Sequence, residues 1–287
     1  MKIGLALSGG GVRGAAHIGV LKVLESYGIR PDFIAGTSSG SIVASLYALG
    51  YSVEEIENST YLFNDFIDID YFGLIKAILF FKKSKITGIL NGDKLEESLN
   101  KLMNNKKMYE TRIPLAVTAV DINNCKKIVF CSKQIFDIAV NYELITDIAI
   151  SDAVRASCSI PLIFKPKMIN INDNLVRLVD GGVLDNLPLE VLIHMGADKV
   201  LGVNLGYNGM LREDVDNGFE VLGQSLDIMM YEITKLRYNK YSNISYVMNP
   251  EIWDVGLLDK EKINECIYRG EIAAKRHIND ILNFLKK

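Results

Sequence analysis

Short runs of β-branched and apolar residues alternate with helix-period segments along this chain, and that alternation limits its fold more than any other feature. Lys2–Ser8 predicts a strand, followed by a helix over Ala15–Tyr27 with Ile18, Leu21, Val23 and Leu24 among its apolar positions. Asp32–Gly36 predicts a second strand, followed by a second helix from about Ser39 to Leu49. Ile113–Val120, Lys127–Cys131, Leu175–Val179 and Val200–Leu205 read as further strands. A β-α-β rhythm of this kind needs crossover helices between neighbouring strands. It therefore predicts an α/β protein of three layers, α/β/α, around a mostly parallel central sheet.

Two long helical repeats close the chain. Phe219, Leu222, Leu226, Met229, Ile233 and Leu236 recur at three- and four-residue steps, as do Ile263, Ile267, Ala274, Ile278, Ile281 and Leu285. Both stripes are expected to pack against the sheet or each other. No linker rich in Pro, Gly or Ser divides the sequence, so residues 1–287 are expected to form a single domain, with the helices of about 217–287 packed on the part before residue 205.

Charge and cysteine usage exclude several classes. Thirty-two basic against 35 acidic residues leave a net charge of −3, which argues against a nucleic-acid partner. Cys125, Cys131, Cys158 and Cys266 form no CxxC pair and read as free thiols, and His17, His194 and His277 make no metal-ligand spacing. The apolar run at the N-terminus stops after five residues, and Tyr71–Phe81 is broken by Lys76, whereas a spanning helix needs about 20 apolar residues. A cytoplasmic protein, at most peripheral at a membrane, is expected. The stretch Asn64–Asn91 joins YFGLIKAILFF to a lysine cluster at 82–85. It reads either as a transient contact with an anionic membrane surface or as a buried helix ending in solvated lysines. Nothing in the sequence points to an oligomeric state.

Three junctions carry the chemistry. The first is Ser8-Gly9-Gly10-Gly11-Val12-Arg13-Gly14, between the first strand and the first helix. A glycine loop at a helix N-terminus aims backbone N–H groups at negative charge, which suits either a dinucleotide pyrophosphate or the oxyanion of an acyl transfer. The dinucleotide reading requires an acid at the end of the second strand; Asp32 sits at its start.

The second junction, Gly36-Thr37-Ser38-Ser39-Gly40, fits G-x-S-x-G between strand and helix. That spacing lifts a nucleophilic serine onto a sharp turn whose flanking glycines relieve crowding. The bland alternative is a tight turn with Ser38 as helix N-cap. The third is Asp180-Gly181-Gly182, where a strand ends in a carboxylate followed by two glycines. Asp180 is a candidate base for Ser38; alone, it also reads as a turn-initiating aspartate.

Taken in this order, GGGVRG, GTSSG and DGG resemble the patatin-like phospholipase family. The segments Thr87–Lys94, Ile113–Asp121, Ala153–Pro161, Asp185–Pro188 and Gly196–Asp198 extend the likeness over about residues 1–205. The resemblance implies the patatin-like α/β fold and lipid acyl hydrolysis by a serine–aspartate dyad without histidine. It makes Ser38 the nucleophile and Asp180 the proton acceptor, with the N–H groups of Gly9, Gly10 and Gly11 as the oxyanion hole. Arg13 matches the family's basic residue in that loop, as a brace or as added positive charge, and Gly14, Gly36, Gly40, Gly181 and Gly182 support the turns. It further implies a lipid or acyl-ester substrate and no metal or organic cofactor. The competing readings are a non-catalytic lipid-binding or regulatory protein on the same fold, and a nucleotide-binding oxidoreductase that uses the glycine loop.

Overall fold

A computed structural model describes residues 1–60, 90–134, 141–210, 215–216 and 218–287. At its centre five parallel strands run in the order β3 (Leu115–Asp121), β2 (Phe33–Thr37), β1 (Ile3–Leu7), β8 (Lys199–Val203) and β9 (Ser245–Met248). β4 (Lys126–Cys131) adds antiparallel to β3, and β5 (Glu143–Ile145) lies parallel to β4 at that edge. β6 (Lys167–Ile171) and β7 (Asn174–Asp180) form an antiparallel hairpin that joins the sheet through β3.

The central strands have covered faces, which is why they read as continuous apolar runs. β2 and β3 are buried at every residue. Successive side chains enter two cores on opposite faces: Leu5, Leu7, Ile34 and Val117 face one, and Ala6, Phe33, Ala35 and Ala116 the other. Helices α1 (Ala16–Ser26), α2 (Ser39–Leu49), α4 (Asp93–Met103), α5 (Ile150–Ser157) and α8 (Ile263–Lys286) contribute to the first core, as does the short α3 (Val53–Asn58). Helix α6 (Leu189–His194) covers the second. The three layers expected from the sequence are present.

Helix α8 crosses α1 at glycines. A Cβ on Gly19 would strike the Ile267 carbonyl, and one on Gly270 the Ala16 carbonyl, so the two backbones meet as no larger residue would allow. Its stripe (Ile263, Ile267, Ala274, Ile278 and Ile281) is buried, as expected.

Helix α7 (Gly218–Tyr241) departs from expectation. Leu222, Leu226, Met229 and Leu236 face solvent, Met229 at 60% and Leu236 at 68% exposure. The helix is held by a different face. Arg237 pairs with Asp185 at 2.5 Å, Tyr241 donates to Glu190 at 2.6 Å, and Tyr238 packs on the second core. The polar anchors, not the apolar repeat, set its rotation.

Residues 61–89, which include most of the Asn64–Asn91 stretch, lie outside the described residues. Among those described, no helix is long and apolar enough to cross a membrane.

Candidate active site

Ser38 follows the last residue of β2 and precedes α2 with φ 51° and ψ −128°. That backbone region is sparsely populated for any residue with a Cβ, and holding it costs about 1–3 kcal/mol. Several contacts fix it. The Ser38 N–H donates to Ser157 Oγ at 2.8 Å, and its carbonyl accepts from Ser41 Oγ at 2.6 Å and Ser41 N–H at 2.8 Å. Gly36 and Gly40 face each other across the bend; a Cβ on Gly36 would lie 2.5 Å from the Gly40 carbonyl oxygen. Ser38 occupies the N-cap position of α2, yet its side chain makes no capping bond. Its hydroxyl instead lies near the Asp180 carboxylate and pulls that group's pKa down.

The edge of β3 brings these two residues together. Its first half pairs parallel with β2, ending at Thr37 beside Thr118, and its second half pairs antiparallel with β7, starting at Asp180 beside Ala119. β7 thus enters against the direction of the parallel strands, unlike the arrangement in which every site loop leaves a parallel edge. Two carboxyl ends meet head to head on one neighbour, which puts Asp180 beside Ser38. Asp180 is 6% exposed, and Gly182 N–H donates to its Oδ1 at 2.7 Å. Burial pushes its carboxyl up to about 6, against the opposing pull of the Ser38 hydroxyl and the Gly182 N–H. Gly181 packs against Thr118, where a Cβ would strike the Thr118 carbonyl.

The glycine loop reaches Ser38 from β1. Gly9 abuts the serine: a Cβ there would lie 2.9 Å from Ser38 Cβ. Its N–H, however, is engaged by Asn186, with the carbonyl at 3.3 Å and Oδ1 at 3.2 Å. The N–H groups of Gly10 and Gly11 make no hydrogen bond to the described residues and stay available. Gly11, at φ +58°, lies against the Leu257 carbonyl, and Gly14 leaves no room for a Cβ beside Ser39, 2.5 Å away. Arg13 is buried with Nε donating to the Val255 carbonyl at 2.6 Å and Nη2 to the Trp253 carbonyl at 3.3 Å. These contacts tie the glycine loop to the segment Trp253–Val255.

No imidazole intervenes between Ser38 and Asp180. His17 Nε2 lies 2.8 Å from the Ser8 carbonyl, and burial pushes its pKa down to about 4, so it stays neutral. His194 and His277 pair with the hydroxyls of Tyr142 and Tyr246.

Ser38 and Gly11 line an almost wholly apolar cavity together with Ile42, Leu95, Ile163 and Phe164, among others. An apolar lining with one polar group at its mouth is the character of a site for an apolar ligand.

Sequence reasoning missed Asn186, Ser157 and the segment of Trp253–Leu257. Asn186 carried a signal, because it sits in the quoted Asp185–Pro188. The Trp253–Leu257 contacts span some 240 positions and left none.

The model of the patatin-like phospholipase family matches residues 5–193. The protein YqhO of Bacillus subtilis is 30% identical over 243 residues, covering 80% of this chain and 80% of that protein. Lysophospholipase NTE1 of Eremothecium gossypii is 31% identical over 204 residues, covering 71% of this chain but only 12% of that much longer protein. The crystal structure of VipD from Legionella pneumophila superposes with a TM-score of 0.52 at 14% identity, over 97% of this chain and 67% of that one, a likeness of fold. With the family pattern running from β1 through α6 and all three motif loops inside it, this chain belongs to the patatin-like phospholipase family.

Proposed function

We propose that this chain is a lipolytic serine acyl hydrolase, a carboxylic ester hydrolase of the phospholipase A or lysophospholipase type, that works through a Ser38–Asp180 dyad. Family membership supports a lipolytic hydrolase. The observation that carries the dyad is the head-to-head meeting of β2 and β7 on β3, which sets Ser38 beside a buried Asp180 carboxyl raised to about 6. A base with that pKa is largely ionised at neutral pH, yet accepts a proton more readily than an exposed aspartate would.

In this reading Asp180 takes the Ser38 proton as Oγ attacks the ester carbonyl. The tetrahedral oxyanion is received by the Gly10 and Gly11 N–H groups, aided by the N-terminus of α2. Collapse expels the alcohol, which takes the proton from Asp180, and leaves the acyl group on Ser38 Oγ. Water, deprotonated by Asp180, then attacks the acyl-enzyme and releases the fatty acid. The apolar cavity beside Ser38 holds the acyl chain. Gly9 keeps the loop close to Ser38, and Arg13 keeps it from moving outward.

We read residues 1–287 as one folding unit, since β9 extends the central sheet and α8 packs on α1. The oxidoreductase alternative finds no support, because β2 ends in Gly36-Thr37 with no acid for a ribose. The reading is tested by hydrolysis of a lysophospholipid panel by wild type and Ser38→Ala. Turnover by wild type alone is expected; equal turnover by both would refute it.

A further inference from the structure

Three consecutive residues touch both members of the proposed dyad. Ser157, the last residue of α5, is fully buried, and its Oγ accepts the Ser38 N–H at 2.8 Å. Cys158 follows, buried, with its side chain close to those of Ser38 and Ser41. The Ser159 carbonyl accepts the Asp180 N–H at 3.0 Å. The backbone of the nucleophile and the backbone of the base thus hang from one short turn.

The turn is itself rigidly held. Arg155, 2% exposed, donates from Nη1 to Ser159 Oγ at 2.7 Å, and Ser159 Oγ donates to the Arg155 carbonyl at 3.0 Å. The same guanidinium binds the carbonyls of Gly92 at 3.1 Å and Asn91 at 2.8 Å. Ser38 needs such an anchor. As the N-cap residue it has no carbonyl within its own helix for its N–H, and its φ/ψ would relax if that bond were lost.

We propose that Ser157 is a positioning residue of this hydrolase, and that the turn Ser157–Ser159 sets the spacing between the Ser38 hydroxyl and the Asp180 carboxylate. The proposal rests on the serine–aspartate reading above. The two strands bring the residues side by side; the turn fixes the approach at the sub-ångström level that a proton transfer requires. Displacing a reacting group by about 1 Å costs on the order of 100-fold in rate.

The test uses the full chain, p-nitrophenyl butyrate and a fluorophosphonate probe, with unfolding midpoints measured alongside. Ser157→Ala is expected to lower kcat about 10- to 100-fold with KM within about twofold, and to slow phosphonylation of Ser38 in parallel. Ser157→Thr keeps an acceptor oxygen and is expected to recover most of the lost kcat. The acid limb of the kcat/KM profile should move to higher pH in Ser157→Ala, because a displaced Ser38 hydroxyl no longer exerts the pull that lowers the Asp180 pKa. Should Ser157→Ala fail to fold, Ser157→Cys, with a weakly accepting sulfur, is read in the same way. An active wild type matched by Ser157→Ala would overturn the positioning role alone. Loss of activity only in step with the folded fraction, with no recovery in Ser157→Thr and an unmoved acid limb, would overturn it as well. A wild type that neither turns over the ester nor takes the probe overturns the hydrolase reading, and the positioning role with it.

Discussion

Thr37 and Thr118 join hydroxyls at 2.7 Å where β3 leaves its parallel neighbour β2 and takes up the antiparallel β7. One residue beyond this junction on each side stand the proposed nucleophile Ser38 and, opposite Ala119, the proposed base Asp180. Thr37 Oγ1 also donates to the Asp185 carbonyl at 2.9 Å, tying the turn after Asp180 to the same point.

The strained backbone at Ser38 separates function from stability. Ser38→Gly should abolish ester hydrolysis yet raise the unfolding free energy by about 1 kcal/mol, since glycine tolerates φ 51°. Parallel thermal melts and activity assays check both halves; a destabilised variant would contradict the strain argument.

Asp180 should leave an acid limb near pH 6 in kcat/KM. Only the ionised carboxylate accepts the serine proton, so the rate falls as pH drops through about 6. The stability effect runs the other way. A carboxyl raised above its unfolded value favours the fold when protonated, so stability is greatest below about pH 4 for this group and declines as pH rises to about 6. Asp180→Asn should therefore be inactive and, above pH 6, more stable than wild type by up to about 3 kcal/mol. The gap should close on acidification, as pH-dependent urea melts would reveal.

Arg13→Ala removes a buried bond to the Val255 carbonyl and a part-buried one to the Trp253 carbonyl. A loss of about 2–4 kcal/mol in stability is expected, with kcat reduced more than KM is raised as the glycine loop loosens. Arg13→Lys should recover little, because a single ammonium cannot reproduce the guanidinium fork. Denaturant melts and steady-state kinetics on the three proteins distinguish these outcomes.

The two C-terminal helices should respond differently to substitution. Gly19→Ala drives a Cβ into the Ile267 carbonyl of α8 and should cost about 3 kcal/mol. Leu236→Ser, on the exposed side of α7, should change stability by less than about 0.5 kcal/mol. Equal losses from the two would mean that the outward side of α7 is not what it is taken to be.

Much of this was legible in the chain before any coordinates. The strands at the centre announced themselves because burial on both faces demands unbroken apolar runs, as in Leu115–Asp121. Ser38, Asp180 and the glycine loop sat at strand ends within short motifs, where local geometry and chemistry coincide. β6 and β7 were harder: β6 alternates between partly covered and exposed residues, and the antiparallel entry of β7 depends on which edge of β3 stays open. The engagement of the Gly9 N–H by Asn186 joins residues 177 positions apart, so the segment Asp185–Pro188 marked Asn186 without revealing its partner. The outward apolar face of α7 was missed because periodicity records that a helix has an apolar side, not that polar anchors such as Arg237 and Tyr241 hold the opposite one.

The central claim, that Asp180 activates Ser38, is tested most directly by the rate of phosphonylation across pH 4–9, with the adduct located by peptide mass mapping. Wild type should carry the adduct on Ser38, with a rate that rises through about pH 6 and then levels, while Asp180→Asn reacts at least 100-fold more slowly with no such limb. Labelling of Asp180→Asn at the wild-type rate, or an adduct on another residue, would contradict it.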